Sequence, residues 1–404
     1  MKNIIMKLTI TIIIALCTTN IFAQAIYCNN ATVFYYNLWN YPGNTPERYK
    51  EFKKIFNYYK PDIILVSELQ NENGAKKILD NAINTNSSTK YKIAPFIDGP
   101  DTDEEIFYNS EMFSLYKTDT IKTALRNINH YTLFYNFTSN SIPFDTTFFH
   151  VFCAHLKAGT TEEEARSNEI LKFIEYIKKK KINKNIILGG DFNLYSSDEK
   201  AYKNITTNDY MPLIDPVGIG EWHENSAFSY YHTQNTRTLF DGVNQGGLDD
   251  RFDIIFMSQD IYSNLNNNIQ YIQNSYTAIA NDGLRLNMSI LESSIIPDSI
   301  AIALYNMSDH LPVSISLCLK NSTTSINSYK KQRDYNIIQN DNEKTFLINN
   351  SNTHIDICLY DLTGKFISFV KPNEKFNYSS IKQGIYFVKI IDKTNTYSQK
   401  IIIN

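Results

Sequence analysis

Short apolar runs that end in a polar side chain recur along the chain. Each run is rich in β-branched or aromatic residues, a composition that favours strands, and each is shorter than a typical helix. Buried strands are therefore predicted at Thr32–Leu38, Asp62–Glu68, Phe148–Leu156, Ile186–Leu188, Arg251–Phe256 and Val313–Leu319.

Two segments between these runs have apolar residues at helical spacing and predict helices over Glu47–Tyr59 and Thr161–Lys181. Thr161 and Glu164 have the spacing of a capping box for the second helix. The acidic stretch from Asp98 to Glu105 predicts a solvated loop, with a calcium site as the alternative. No secondary structure is predicted for the polar, turn-rich segment Leu213–Leu248.

The first 23 residues have the pattern of a secretory signal peptide, with two lysines before the apolar run Leu8–Leu16 and Ala23 at the expected cleavage point. That run is too short to span a bilayer, and no later stretch approaches the required length. We therefore expect an exported, soluble mature protein without a transmembrane segment. Four cysteines follow the signal, enough for one bridge and too few for a disulfide scaffold.

Charge is divided unevenly between two parts of the chain. Residues 24–320 carry 26 lysines and arginines against 35 aspartates and glutamates, a formal charge of −9, whereas residues 321–404 carry 11 against 7. An acidic main domain does not bind polyanions by bulk charge. If the substrate contains phosphate, metal ions must supply the local positive charge.

Polar groups of the types used in catalysis stand at the ends of the predicted strands or, in one case, on a strand. Each has an ordinary structural explanation when taken alone, such as a turn after a strand or a hydrogen-bonding histidine. The groups are Asn37, Glu68, His155, Asp191, Asn193, Asp253, Asp309 and His310.

In this order and these local contexts, the groups resemble the endonuclease/exonuclease/phosphatase superfamily over roughly Ile26–Lys320. The most specific motifs are Gly190-Asp191-Phe192-Asn193 and Ser308-Asp309-His310, supported by Ser67-Glu68, His155-Leu156 and Arg251-Phe252-Asp253. The resemblance implies an α+β fold, a four-layer sandwich of two mainly antiparallel β-sheets flanked by helices, and metal-dependent hydrolysis at a cleft formed by strand ends.

The resemblance also implies roles for individual residues. Glu68, with Asn37 and Asp309 beside it, would bind Mg²⁺ or Mn²⁺, with Ca²⁺ as a further candidate, because these ions prefer oxygen ligands. His310, oriented by Asp253, would take a proton from water or stabilise the phosphoryl group. The remaining catalytic residues would be Asp191 at the nucleophile or leaving group, Asn193 as a phosphoryl donor and His155 as an acid or phosphate donor. Which group is the acid and which the base stays open.

Substrate contacts are assigned to Tyr108 and Arg251 on the same basis. The segment before the His155 strand departs from nucleic-acid-cleaving relatives, because Tyr108-Asn109 stands there in acidic surroundings. The family places its first and last strands side by side, so the resemblance further implies a disulfide between Cys28 and Cys318, and Cys153 is expected to be a buried thiol.

The C-terminal part is predicted to be separate. Residues 321–345 are rich in Asn, Ser and Thr and predict a linker, and residues 346–404 alternate strands with turns. The latter resemble the sorting domain of the type IX secretion system, on the Tyr360–Lys365 turn, the Gly384–Ile390 strand and the Lys400–Asn404 end. The alternative is a small β-sandwich binding module.

The combined prediction is a secreted or surface-attached, monomeric, divalent-metal phosphodiester hydrolase that acts as an endonuclease and uses the secretion machinery as a partner. A phospholipid hydrolase of the sphingomyelinase type or a small-phosphoester hydrolase is the alternative within enzymes. The alternative from another class is an inactive surface-displayed binding protein.

Overall fold

The computed structural model describes residues 28–85, 90–136, 147–263, 267–320, 335–350, 356–362, 365–391 and 396–403. The chain divides between Ser322 and Thr323 into two units. The predicted signal peptide and residues 321–334 of the predicted linker lie outside the described residues. The rest of that linker differs from the prediction, because residues 335–340 form a strand.

The first unit contains fifteen of the described strands and the described α-helices. The strands are β1 Cys28–Tyr41, β2 Ile63–Leu69, β3 Tyr91–Ile93, β4 Asp103–Asn109, β5 Phe113–Ile121, β6 Ile128–Tyr135, β7 Phe148–His155, β8 Ile186–Asp191, β9 Leu213–Ile214, β10 Leu239–Phe240, β11 Val243–Asn244, β12 Asp253–Ser258, β13 Ile269–Tyr271, β14 Thr277–Ala278 and β15 Val313–Lys320. The helices are α1 Tyr49–Tyr59, α2 Glu72–Ile78, α3 Glu163–Lys180, α4 Lys200–Thr207, α5 Gln259–Ser263 and α6 Asp298–Met307.

Two sheets pack face to face in this unit. One has the order β13-β15-β1-β2-β4-β3, with β14 also paired to β15, and the other has the order β5-β6-β7-β8-β12-β9. Aliphatic and aromatic side chains from both sheets form one core between them, among them Tyr35, Leu65, Val151 and Ile255. The outer face of the first sheet is covered by α1, α2 and α6, and that of the second by α3 and α4. The predicted four-layer α+β architecture is confirmed.

The helices α1 and α3 lie within the two predicted helical segments, but the N-terminal cap of α3 differs from the prediction. The helix predicted from Thr161 begins at Glu163, and its N-cap residue Glu162 makes no side-chain cap hydrogen bond. The capping box predicted from Thr161 and Glu164 is therefore wrong. At the other end Lys181 adopts a left-handed backbone conformation with φ of 58°, which ends the helix.

The acidic segment predicted as a solvated loop is one only in its first half, where Asp98 and Asp101 are exposed, whereas its second half belongs to the first sheet. Asp103, Glu104 and Glu105 begin β4 and are only 2%, 1% and 1% exposed. Burial disfavours the charged carboxylate and raises the pKa of Glu105 to about 8. Acidic composition suggested solvent, but pairing of β4 with β2 places these side chains inside the domain.

We expect Glu105→Gln to stabilise the protein at alkaline pH. The pKa of Glu105 in the folded protein is raised above its unfolded value, so its contribution to stability is present at low pH and is lost as the pH rises toward about 8. The wild type should lose stability relative to the variant by up to about 1.4 kcal/mol per pH unit over this range. Urea unfolding of both proteins at pH 5, 7 and 9 measures the difference in their free energies of unfolding. A difference that is the same at all three pH values would contradict the burial of a neutral carboxyl group.

Cys28 and Cys318 are bonded as a disulfide that joins the first and last strands of the domain, with their Cα atoms 5.2 Å apart. The two strands β1 and β15 are antiparallel neighbours, so the residues 290 positions apart lie side by side. Cys153 is a buried free thiol, as predicted.

We expect Cys28→Ser to lower the free energy of unfolding by about 2–4 kcal/mol, because the bridge limits the conformations of the unfolded chain. Thermal unfolding of the variant and of the wild type with and without reductant measures this loss. The reduced wild type should match the variant. Equal stability of oxidised and reduced wild type would show that the bridge does not form in solution.

The second unit is made of strands in the part that the structure describes. They are β16 Tyr335–Asn340, β17 Thr345–Asn350, β18 Asp356–Asp361, β19 Phe366–Val370, β20 Lys375–Asn377, β21 Gly384–Ile391 and β22 Thr396–Ile403. They form two sheets, β16-β17-β20 and β19-β18-β21-β22, around an apolar core that includes Phe346, Leu359 and Val388. The prediction of an all-β C-terminal unit is confirmed.

Candidate active site

The predicted functional groups converge because their strands end at the same edge of the two packed sheets. In the second sheet, Asp191 is paired with His155 on β7 and with Asp253 on β12. In the first sheet, Asn37 on β1 is paired with Ser67 on β2, next to Glu68. Adjacent strands thus deliver side chains from distant parts of the sequence to one place.

Backbone irregularities turn the first-sheet groups toward the second sheet. The pairing of β1 with β2 shifts register after Asn37, and Trp39, Asn40 and Glu68 have positive φ values of 48°, 50° and 57°. Bulges of this kind re-aim side chains at the ends of strands. Arg48 supports the bulge, because its guanidinium donates to the carbonyls of Leu38 and Trp39 at 3.0 and 2.7 Å.

Two glycines allow β8 to carry Asp191 into the site. A Cβ atom on Gly190 would lie 2.4 Å from the carbonyl oxygen of Ala154, and one on Gly189 would lie 2.9 Å from Leu65. Close approach of neighbouring backbone and of the opposite sheet therefore requires glycine at both positions. The strand predicted to stop at these glycines continues through them to Asp191.

The carboxylate of Asp191 lies at the centre of the cluster. Its Oδ2 atom accepts a hydrogen bond from Asn37 Nδ2 at 3.0 Å and lies 3.5 Å from His155 Nε2 and 3.7 Å from His310 Nε2. Its Oδ1 atom accepts from the backbone N–H of Asn193 at 3.0 Å. Burial and the nearby charges of Asp253 and Glu68 raise the pKa of Asp191 to about 7, although His310 opposes the shift.

His310 and Asp253 form a directed pair. His310 Nδ1 lies 2.7 Å from Asp253 Oδ2, which leaves Nε2 facing Asp191. Burial disfavours the imidazolium, but the carboxylates of Asp253 and Asp191 overcome it and raise the pKa of His310 well above its ordinary value. The arrangement fixes the ring orientation and favours proton exchange at Nε2.

His155 is buried between the two sheets with its Nε2 atom 3.9 Å from Glu68 Oε1 and 3.5 Å from Asp191 Oδ2. Burial, with Arg126 and His310 nearby, lowers the pKa of His155 well below its ordinary value. The neutral ring can present an N–H group to the site while carrying no charge of its own. This suits the predicted donor role better than a role as a charged acid.

Glu68 supplies a carboxylate beside Asp191. The ligand atoms of Glu68, His155 and Asp191 all lie within 4.8 Å of one another. Burial and repulsion from Asp309 raise the pKa of Glu68, although hydrogen bonds from Asn37 and Asn40 oppose this. Asp309 Oδ1 is buried and has no hydrogen-bond partner among the described residues. The neighbouring carboxylates of Glu68 and Asp191 fit a hard divalent cation, which these two residues would hold. Binding of the cation by Asp309 stays a prediction.

Asn37 differs from its predicted role as a metal ligand. Its Nδ2 atom donates to Glu68 Oε1 at 2.9 Å and to Asp191 Oδ2 at 3.0 Å, while its Oδ1 atom accepts from the backbone N–H of Trp39. The amide therefore presents N–H groups to the site and keeps its oxygen away from it. Asn37 orients two carboxylates.

Asn193 lies beside Asp191, and its side chain bonds to the protein backbone. Its backbone φ is 50°, and its Nδ2 atom donates to the carbonyl of Leu156 at 3.1 Å. The contact joins the end of β7 to the end of β8. Donation from Asn193 to a phosphoryl oxygen stays a prediction.

The two residues predicted to contact substrate do not reach the site. Tyr108 pairs with Ile63 at the opposite end of β2 from Glu68, and its side chain lies in the core between the sheets. Arg251 is fully buried and makes two hydrogen bonds to Asp215 at 2.8 and 2.7 Å. Both predictions are wrong, because sequence proximity to a motif does not fix the direction of a side chain.

Gln234 is a site residue that the sequence did not indicate. Its Nε2 atom lies 2.8 Å from His310 Nε2 and 3.4 Å from Asp309 Oδ2. It comes from the turn-rich segment that has no periodic pattern. No feature of the sequence distinguishes a site glutamine in such a segment from a glutamine exposed to solvent.

Comparison with known proteins gives two results for the two units. Residues 340–404 match the model of the secretion system C-terminal sorting domain. The tail is a secretion sorting domain. The match begins at residue 340 and not at the predicted residue 346. The presence of this domain indicates export to the cell surface or the extracellular space, as predicted. In the described residues, the helices are all too short or too polar to cross a membrane.

Three solved structures are similar to part of this chain. A Bacteroides thetaiotaomicron endonuclease/exonuclease/phosphatase family protein is 17% identical, covers 73% of this chain and 100% of its own, and has a TM-score of 0.47. The B. thetaiotaomicron mannosyl-6-phosphatase is 18% identical over 71% and 99%, with a TM-score of 0.44. The human Nocturnin catalytic domain with bound sulfate is 16% identical over 72% and 95%, with a TM-score of 0.45. Curated proteins give no significant match.

Proposed function

We propose that this exported protein is a divalent-metal-dependent phosphodiester hydrolase that acts as an endonuclease. The observation that carries the proposal is the position of His310 between two carboxylates. Its Nδ1 atom lies 2.7 Å from Asp253 Oδ2 and its Nε2 atom lies 3.7 Å from Asp191 Oδ2, and the carboxylate of Glu68 is next to Asp191. A proton-transfer pair beside a group of oxygen ligands is the combination that hydrolysis of a phosphate ester needs.

Each residue has a task in this proposal. A bound divalent cation would supply positive charge to the phosphoryl oxygens, held by Glu68, Asp191 and Asp309. Asp253 accepts the Nδ1–H hydrogen bond of His310, so that His310 Nε2 is turned toward the substrate. Asp191, at the centre of the cluster, would orient the attacking water through its carboxylate. His155 donates a hydrogen bond from its neutral ring.

An exposed apolar hairpin supports a second candidate, hydrolysis of a phospholipid. The hairpin of β10 and β11 exposes 58% of Leu239, 39% of Phe240 and 59% of Val243. The Phe240 ring lies 5.1 Å from that of Trp39, which follows the site residue Asn37. Contiguous exposed apolar side chains beside a site favour contact with an apolar partner.

A substrate panel tests the proposal. We expect the full chain with Mg²⁺ or Mn²⁺ to nick supercoiled DNA or cleave RNA, and expect chelation by EDTA to stop the reaction. Sphingomyelin vesicles, sugar phosphates and bis(p-nitrophenyl) phosphate complete the panel. Cleavage of sphingomyelin in preference to nucleic acid would favour the second candidate. Turnover of no panel substrate by folded, metal-supplied protein, or turnover unchanged by EDTA, would reject the proposal.

A further inference from the structure

Arg237 is a buried cation whose guanidinium group lacks hydrogen-bond partners. The residue is 3% exposed, and its Nε and Nη1 atoms make no hydrogen bond within the part of the chain that the structure describes. The remaining nitrogen, Nη2, donates to the carbonyl of Tyr305. Unpaired N–H groups on a buried charge are costly, so such groups normally have a partner. The unpaired nitrogens of Arg237 therefore indicate an acceptor that the chain itself does not supply.

Three aromatic rings surround this guanidinium. Its Cζ atom lies 4.4 Å from the centroid of Trp39, 4.8 Å from that of Tyr305 and 5.4 Å from that of Phe240. The rings stabilise the charge by cation–π contact, but a ring replaces an oxygen acceptor only weakly. The aromatic residues thus hold the cation in place and leave its hydrogen-bonding capacity for a ligand.

Arg237 lies at the edge of the candidate active site. Trp39, whose ring contacts Arg237, comes two positions after the site residue Asn37. On the other side, the backbone N–H of Thr236 donates to the carbonyl of Asp309 at 2.9 Å. Burial lowers the pKa of the Arg237 guanidinium, the carboxylate of Asp309 opposes the shift, and the group stays charged at neutral pH. A positive charge therefore stands next to the site carboxylates.

The hairpin of β10 and β11 covers Arg237. Its two short strands form a sheet of their own, and Leu239 and Val243 on it are more than half exposed. The Phe240 ring of this hairpin packs on both Trp39 and Arg237. A two-stranded hairpin by itself is only marginally stable. The hairpin can therefore move aside and open a path from solvent to the guanidinium.

We propose that Arg237 binds a second anionic group of the substrate, a phosphate next to the scissile one, once the hairpin has moved aside. The inference rests on the proposed function and narrows its substrate class to chains with consecutive phosphates, such as a nucleic-acid strand. The divalent cation held by Glu68 and Asp191 would neutralise the scissile phosphoryl group, which leaves the charge of Arg237 for the neighbouring phosphate. A guanidinium suits this task, because its N–H groups match the geometry of phosphate oxygens.

Thymidine dinucleotides with and without a terminal phosphate test the role by activity. With Mn²⁺, we expect a 5′- or a 3′-terminal phosphate to raise kcat/KM by about tenfold, the effect of one hydrogen bond between charged groups. Arg237→Met should abolish this advantage, and Arg237→Lys should keep part of it. Arg285→Met is the matched control, because Arg285 is already paired with Asp282 at 3.0 Å, and it should keep the wild-type advantage. An advantage that is equal in wild type and Arg237→Met, with the fold intact by circular dichroism, would overturn the inference.

Ligand binding separates failure of this role from failure of the proposed function. With Mg²⁺ present, isothermal titration calorimetry should show that the wild type binds thymidine 3′,5′-bisphosphate about tenfold more tightly than thymidine 5′-phosphate, whereas Arg237→Met should bind both alike. Equal affinities in the wild type, or a preference that survives Arg237→Met, overturn the inference even if the protein hydrolyses every diester tested. A preference that depends on Arg237 supports it even if no diester is hydrolysed.

Hydrogen exchange tests the opening of the hairpin. Binding of the bisphosphate should change the exchange rates of the backbone amides of residues 239–244 in the wild type and leave them unchanged in Arg237→Met. Unchanged rates in a wild type that prefers the bisphosphate would overturn the movement of the hairpin.

Discussion

The expected result of His310→Asn is a loss in kcat/KM for a phosphodiester of about 10²- to 10⁴-fold, the range seen when a positioned acid–base group is removed. Asparagine can still donate a hydrogen bond to Asp253, so the buried carboxylate keeps a partner. It cannot accept or release a proton as imidazole does. Steady-state hydrolysis of bis(p-nitrophenyl) phosphate with Mn²⁺ measures the loss.

Two further variants show whether His310 and Asp253 act as one unit. Asp253→Asn should lower activity by a similar order, and the double variant should lose little more than either single variant, because residues that act together are not additive. His150→Asn is the matched control, since His150 bonds to His130 at 2.9 Å and lies near the start of β7, away from His155 at its end. Retained activity in His310→Asn, with the fold intact by circular dichroism, would end the acid–base assignment.

We expect Glu68→Gln to weaken Mn²⁺ binding by at least about 10- to 100-fold, an effect already reached when residues that only support metal ligands are changed. Hydrolysis at low metal concentration should fall in parallel and recover in part at high concentration. Isothermal titration calorimetry measures the affinity. Glu175→Gln, at an exposed position on α3, is the matched control and should bind Mn²⁺ as the wild type does.

Glu68→Gln is not expected to lower the stability of the metal-free protein. In EDTA, Glu68→Gln should be no less stable than the wild type, because loss of a buried carboxylate relieves its repulsion with Asp309. With Mn²⁺ added, the wild type should gain thermal stability while the variant gains little. A wild type whose unfolding temperature does not respond to Mn²⁺ would contradict the metal site.

Much of the site can be predicted from sequence because its groups come from strand ends. A run such as Ile63–Ser67 predicts a strand, and the strand ends where a polar residue replaces the apolar ones. The strands β7 and β8 are parallel, as are β1 and β2, so His155 lies beside Asp191 and Asn37 lies beside the Ser67-Glu68 end of β2. The Cys28–Cys318 pair is expected only through the family resemblance, which implies that the first and last strands are neighbours.

Other features depend on contacts that sequence does not contain. Tyr108 belongs to a strand whose alternation turns it into the core, and Arg251 bonds to Asp215, which lies 36 positions earlier. Glu105 is buried because β4 pairs with β2, although its acidic neighbours suggested solvent. Gln234 reaches His310 only because isolated backbone bridges hold an aperiodic loop against the site.

The sequence by itself determined the types of chemical group available, their order on strands, the all-β tail and the resemblance to a sorting domain. The groups, their strands and the all-β tail depend on local composition and periodicity, which are properties of the sequence alone. The resemblance depends on the motifs at Tyr360–Lys365, Gly384–Ile390 and Lys400–Asn404. Tertiary structure alone decided which of those groups face one another, which nitrogen of His310 is directed at Asp191, and that Asn37 presents its N–H groups to the carboxylates. Direction and distance arise from packing of the two sheets, whose contacts join residues far apart in the chain.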